Sequence, residues 1–200
     1  MYSDRRGGNR RGNPRDNRSD PLGTVEWCRV IDHPKSDDAI VVVTEPSMHV
    51  IRLKPKQGSP IQMVGSRIYM GDDPAKREVV QDILGFARIR DLSNAASTEM
   101  PIIIQQIIED SPSVFIDQFF NRAGNLSRKM HAFELLPGVG NKKALEMVNK
   151  RGRSGWENFS QLDADCAING AELLAKRFVS EIEDRNIQPR LIDLLLRQGE

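Results

Sequence analysis

Between Thr24 and Ile89 the apolar residues come in short runs of strand length, at 25–31, 39–44, 48–53, 67–70 and 79–89, rich in Val and Ile. Turn-forming clusters separate them: Asp32-His33-Pro34, Glu45-Pro46-Ser47, the 55–60 segment and Gly71-Asp72-Asp73-Pro74. Five short strands in about 65 residues suit a small closed barrel better than a sandwich, which needs about seven. Glycines bracket the 67–70 run, as happens where a barrel strand bends tightly. The pattern predicts an OB-like barrel, with an SH3-like barrel as the nearest rival.

After Ser93 the period becomes helical. Ile102, Ile103, Gln106 and Ile107 recur at the spacing that paints one helix face, with Ser97, Thr98 and Glu99 as start signals. Val114, Phe115, Phe119 and Phe120 repeat the pattern over 113–121, and Gly124 marks its end. At helical spacing beside aliphatics, these aromatics read as core rather than as a base-stacking surface. Further helices are expected over 127–136, 141–151, 171–185 and 190–196. Strands first and helices afterwards predict an α+β chain in segregated layers, not a doubly wound sheet. The expected organisation is a disordered Arg/Gly-rich tail at 1–22, an OB-like β-barrel at 23–92, connecting helices at 93–126 and an all-α helix-hairpin-helix domain at 127–200.

Composition changes this picture little; the distribution of charge changes it more. The 200 residues are 38% hydrophobic and 28% charged, an ordinary folded composition, with a net charge of +1. No apolar run approaches the ~18 residues of a membrane helix, and the start of the chain lacks the apolar core of a signal peptide. Cys28 and Cys166 lie far apart, which fits a reducing cytoplasm and excludes a disulfide framework or a Cys-based zinc site. The charge is uneven. Residues 1–20 carry six Arg, among them Arg5, Arg6, Arg10 and Arg11, against three Asp. The segment 127–153 carries seven basic side chains against Glu134 and Glu146. Two basic islands on a slightly acidic body point to a polyanion met locally. The tail is too polar to offset its ordering entropy, and its Arg-Gly steps suit an accessory RNA contact.

The segment with chemistry is Leu135-Leu136-Pro137-Gly138-Val139-Gly140-Asn141-Lys142-Lys143-Ala144. Pro137 ends the helix before it, Gly138 and Gly140 permit a tight reversal, and Val139 can pin the turn from below. A second helix is expected from Asn141, a suitable cap, with Ala144 small enough for close helix approach. Backbone amides at the start of that helix form an anion site that glycine leaves open. Lys142 and Lys143 stand where the helix dipole disfavours cations by a few tenths of a kcal/mol each. An arriving phosphate reverses that sign, and a locally violated rule tends to mark a site. Gly138, Val139, Gly140, Lys142, Lys143 and Arg128 are the candidate phosphate-binding residues. A weaker echo follows at Ala167-Ile168-Asn169-Gly170, where Glu172 takes the place of Lys142 and should repel phosphate. Trp156, Phe159 and Leu162 read as the connection between the two copies.

The run 131–143, together with Phe119-Phe120-Asn121-Arg122-Ala123, the 64–71 strand and Trp156-Glu157-Asn158-Phe159, resembles the archaeal family known as domain of unknown function 655. The resemblance covers roughly 24–184. It implies an OB-like domain joined to helix-hairpin-helix repeats and an RNA- or DNA-binding role, with no established activity. The Arg/Gly tail departs from the family pattern, as does Asn141, where a second basic residue is often found.

Nothing in the pattern marks an enzyme. His33, His49 and His131 are isolated, with no metal-ligand spacing. Asp37-Asp38 and Asp72-Asp73 lie in turn-like contexts rather than on converging elements. There is no phosphate-binding Gly-x-x-x-x-Gly-Lys-Ser/Thr loop. No catalytic residue, metal or cofactor is therefore expected. The expected function is non-catalytic binding of nucleic acid through its backbone, RNA favoured mildly over DNA, in the cytoplasm. The rival is a protein-interaction adaptor on a ribosome- or polymerase-type assembly, or a targeting subunit for a separate nucleic-acid enzyme.

Overall fold

The computed structural model describes residues 22–35 and 39–196. The expected tail, with Arg5, Arg6, Arg10 and Arg11, and the pair Asp37-Asp38 lie outside them. The architecture is α+β. Five strands, β1 (Trp27–Asp32), β2 (Ile40–Glu45), β3 (Val50–Pro55), β4 (Arg67–Tyr69) and β5 (Val80–Phe86), form one curled half-barrel sheet in the order β4-β1-β2-β3-β5. All neighbours pair antiparallel, so β4 and β5 run in the same direction at its two open edges.

Both faces of β2 are covered, which is why it reads as an unbroken Ile-Val-Val-Val run rather than an alternating one. On the concave side Cys28, Val30, Ile40, Val42, Ile51 and Leu53 form a barrel core with Ile68, Met70 and Val80. Burial there, and then the charge of Glu45, push the Cys28 thiol far above its ordinary value. From the other face Ile31, Val43 and Val50 join the larger core made by the helices. The two layers therefore share apolar surface.

The helix that joins them, α1 (Asn94–Asp110), begins earlier than its sequence signals suggest. Ser93 is the cap, its Oγ accepting from the Ala96 N–H at 3.0 Å. Pro101 consequently falls inside the helix and forgoes the bond to the Ser97 carbonyl. The buried stripe is Met100, Ile103, Ile104, Ile107 and Ile108, so the expected face is rotated: Ile102 and Gln106 are exposed. That stripe packs against β1, β2 and a long helix over Gly170–Glu183.

Three further expectations are corrected. The helix over 113–121 is a short α2 (Pro112–Phe115) followed by a π-helical turn, Ile116–Phe120, in which the Asn121 N–H reaches back to the Ile116 carbonyl at 2.8 Å. The turn puts Phe115, Phe119 and Phe120 together in the core, as their spacing foretold. The helix over 127–136 is instead a small hairpin, β6 (Asn125–Ser127) and β7 (Met130–His131), with Arg128 and Lys129 at its tip, and then a 3-10 turn, Ala132–Leu135. His131 sets that boundary. Its Nδ1 accepts from the Phe133 N–H at 3.1 Å, while Glu134 Oε1 accepts from the His131 N–H at 2.7 Å. Finally, the expected connection contains a true helix, α4 (Phe159–Cys166), capped by Asn158.

After α3 (Asn141–Arg151) and α4, the long α5 (Gly170–Glu183) and the short α6 (Leu191–Leu196) complete the fold. Glu181 holds α6 in place. Fully buried, its carboxylate accepts from Arg177 Nε at 2.7 Å and from the N–H groups of Leu191 and Ile192 at 2.8 and 3.0 Å. A carboxylate is tolerated there because both of its oxygens have donors. Among the described residues no helix is long and apolar enough to cross a membrane.

Candidate functional site

The 135–144 turn is built as its sequence suggests, with one half simplified. Leu135 and Leu136 are buried, Pro137 stops the 3-10 turn, and Gly138 adopts φ +78°, a conformation that other L-residues rarely take. Val139 turns inward, buried among the helices, and Ala144 is fully buried one turn into α3. The first helix of the expected hairpin is reduced to a single 3-10 turn.

Gly140, not Asn141, is the cap of α3, at φ −89° and ψ 176°. Any residue adopts that conformation, and a Cβ added there would meet nothing within 4 Å. Neither backbone geometry nor internal packing asks for glycine. Gly140 also brings no side chain to accept from the first-turn amides, and no side chain caps α3. The turn surface of Pro137, Gly138, Gly140, Asn141 and Lys142 is exposed. The helix therefore presents its N-terminal N–H groups and the positive end of its dipole directly to solvent.

The named site residues divide into those that face outward and those the fold consumes. Gly138, Gly140 and Lys142 line the open turn. Val139 does not offer its amide, which donates to the Leu136 carbonyl at 3.1 Å; its part is to anchor the turn. Lys143 is half-buried and pairs with Glu146 at 3.1 Å, so much of its charge is already matched. Arg128 sits exposed at the tip of the β6–β7 hairpin, whose second strand packs against α3. Within the basic island, Arg151 serves the fold. It donates from Nη1 to the Ala123 and Phe120 carbonyls at 2.6 and 3.2 Å and lies over the Phe133 ring. That leaves Arg128, Lys129, Lys142, Lys150 and Arg153 as exposed cations.

His131 is a structural acceptor rather than a phosphate contact. Burial, and then the nearby Arg151 charge, hold its imidazole below its ordinary value and so keep it neutral. His33 likewise spends its Nδ1 on the Gln62 N–H at 2.8 Å.

The echo at 167–170 is closed. Ala167 supplies the left-handed residue at φ 50°, and Asn169 caps α5 through its Oδ1, which accepts from the Glu172 N–H at 3.0 Å. Asp163 Oδ1 accepts from the Gly170 N–H at 2.7 Å. Burial pushes the Asp163 carboxyl up, while that amide bond opposes the shift. A Cβ on Gly170 would lie 2.6 Å from Leu162 Cδ2 and 3.3 Å from Phe120 Cζ. Here glycine exists for packing. Sequence reading missed the two caps because nothing in the local pattern shows that Asp163 reaches Gly170.

Among the described residues no group of three or more His, Cys, Asp or Glu could hold a metal ion. The chain is 23% identical to the uncharacterized protein MJ0038 of Methanocaldococcus jannaschii over 178 residues, 86% of this chain and 79% of that one. The crystal structure of Af1531 from Archaeoglobus fulgidus, described as family-model DUF655, superposes with a TM-score of 0.74 at 27% identity, covering 84% of this chain and 98% of that one. The family model described as "Protein of unknown function (DUF655)" matches residues 31–191, and the chain belongs to that family.

Proposed function

We propose that this chain binds nucleic acid through its sugar–phosphate backbone, seating a phosphate on the open N-terminus of α3. The observation that carries the reading is Gly140: a glycine that neither conformation nor packing requires, at the mouth of an uncapped helix followed by Lys142. Leaving out the side chain keeps the first-turn amides open to a group approaching from outside. On this reading the 132–151 segment is a shortened helix-hairpin-helix. The sheet is an OB-like half-barrel by strand number and order, open where β4 and β5 do not pair with each other. Backbone contact positions a polymer without reading bases, so sequence preference is weak. RNA is favoured over DNA only through the Arg/Gly tail and the barrel class.

Fluorescence anisotropy with labelled duplex and unpaired oligonucleotides tests this. If about four phosphates are neutralised, log affinity falls against log salt with a slope of roughly −3 to −4. Reversing charge with Lys142→Glu and Lys143→Glu abolishes binding to both forms. A slope near zero, or unchanged binding in the double variant, overturns the reading. In the second case a partner protein recovered equally by both variants assigns the chain to a protein assembly instead.

A further inference from the structure

A second surface lies away from the α3 turn, around Phe86 at the end of β5. Phe86 is 50% exposed. The ring is fixed by His49, whose imidazole meets it edge-on with centroids 5.3 Å apart and planes at 69°. His49 is itself held by the β2–β3 turn: its N–H donates to Thr44 Oγ1 at 2.8 Å, and its Nδ1 lies 3.1 Å from Ser47 Oγ. The platform is thus both exposed and rigid.

Phe86 borders two cavities. One, of about 360 Å³, runs from Met48 and His49 to Arg185 and Arg190, with no acidic side chain among the described residues of its wall. The other, of about 460 Å³, is bordered by Arg52 and Arg88. Its acid, Asp32, accepts a hydrogen bond from Ser93 Oγ. Arg190 is positioned by Asp193 at 2.6 Å and by the Glu181 carbonyl at 2.8 Å. Arg88 and Arg185 are exposed and have no hydrogen-bond or ion-pair partner among the described residues. Four arginines thus line the two cavities that share Phe86.

We infer that this surface takes an unpaired stretch of nucleic acid, one base stacking on Phe86 and the neighbouring phosphates lying toward Arg88 and Arg185. Stacking on an aromatic ring between cationic walls is how single strands are held without sequence readout. A duplex keeps its bases inside the helix and cannot offer one to a ring that borders two cavities. An acidic peptide would satisfy the arginines but leave the exposed ring without a partner. The inference shares with the proposed function the claim that the chain binds nucleic acid, but it concerns a different site and a different strand state.

The test uses the full chain and labelled unpaired and duplex oligonucleotides of roughly 12 nucleotides, within the ~4–16 that a single-strand-binding fold covers. Phe86→Ala weakens the unpaired complex by roughly 5- to 150-fold, Phe86→Trp restores it, and duplex affinity stays unchanged in both. Arg88→Gln and Arg185→Gln each lower the salt slope for the unpaired strand by about 1. Photocrosslinking of a thiouridine-bearing oligonucleotide to the unaltered protein labels the peptide containing Phe86. Unchanged single-strand affinity in Phe86→Ala, equal loss of duplex binding, or a crosslink map that avoids this peptide overturns the inference. So does displacement of the oligonucleotide by polyglutamate of equal charge. Charge reversal at Lys142 and Lys143 removes binding of both strand states, whereas Phe86→Ala affects the unpaired strand only, so each reading fails on its own result.

Discussion

Two turns of this molecule start from similar sequences and end in opposite states. Each brings the chain around through a left-handed residue, Gly138 in one and Ala167 in the other, into a helix with glycine at its mouth. At 167–170 the amides are spent on Asn169 and Asp163, and the glycine is filled space. At 137–141 the helix end has no cap, the cap glycine faces nothing, and a lysine stands beside it. The first arrangement satisfies polar groups as a buried turn must. The second leaves them to solvent or to a ligand. A glycine thus has two physical meanings, close packing or access, and the space around the missing Cβ distinguishes them.

The comparison is broken most severely at the glycines themselves. Gly170→Ala forces Leu162 and Phe120 to shift within the core and costs about 1–3 kcal/mol, as overpacking does. Gly140→Ala changes stability by less than about 1 kcal/mol, because its Cβ enters open space and only capping preference alters. Urea unfolding of the two variants measures the difference; equal losses would erase the distinction between the turns. Gly140→Ala is expected to weaken oligonucleotide binding despite its intact fold, and folded Gly170→Ala to leave binding unchanged.

Next in size is the cap. Asn169→Ala removes the acceptor for the Glu172 N–H and costs about 0.5–2 kcal/mol, read in the same unfolding experiment. Placing Asp at Gly140 instead stabilises α3 by a few tenths of a kcal/mol while expelling phosphate from the open turn. Opposite signs in stability and affinity from one substitution would be hard to explain for a purely structural turn.

The smallest effect is that of pH. His131 accepts the bond that starts the 3-10 turn leading into Pro137, and its folded form titrates below the unfolded value near 6.5. As pH falls past that value the unfolded chain binds the proton first. The stability contributed by neutral His131 is therefore complete above about pH 6.5 and declines toward lower pH, until the folded imidazole also protonates. Unfolding midpoints between pH 8 and 5 show this slope in the native chain and a shallower one in His131→Asn.

Local sequence made the 135–144 turn legible because its causes are local: a ring without an N–H at Pro137, a left-handed glycine at 138, and apolar Val139 between glycines. The same holds for the five strands, whose apolar runs and turn clusters mark their bounds to within a few residues. The face of α1 was misplaced by one position because periodicity alone does not say where a partner will pack. The 125–131 hairpin, the π-helical turn and α4 escaped notice because their boundaries are set by capping and by aromatic side chains meeting in one core.

What the sequence by itself determined is the chain's local punctuation: strands before helices, and one glycine-bracketed reversal ahead of a lysine-bearing helix. Only the tertiary structure decided which groups remain available. Contacts between distant residues consumed Arg151, sealed the second turn through Asp163, and brought Arg88 and Arg185 to the two cavities that share Phe86. The physical reason is that availability is what remains after every long-range partner has been satisfied, and those partners meet only in three dimensions.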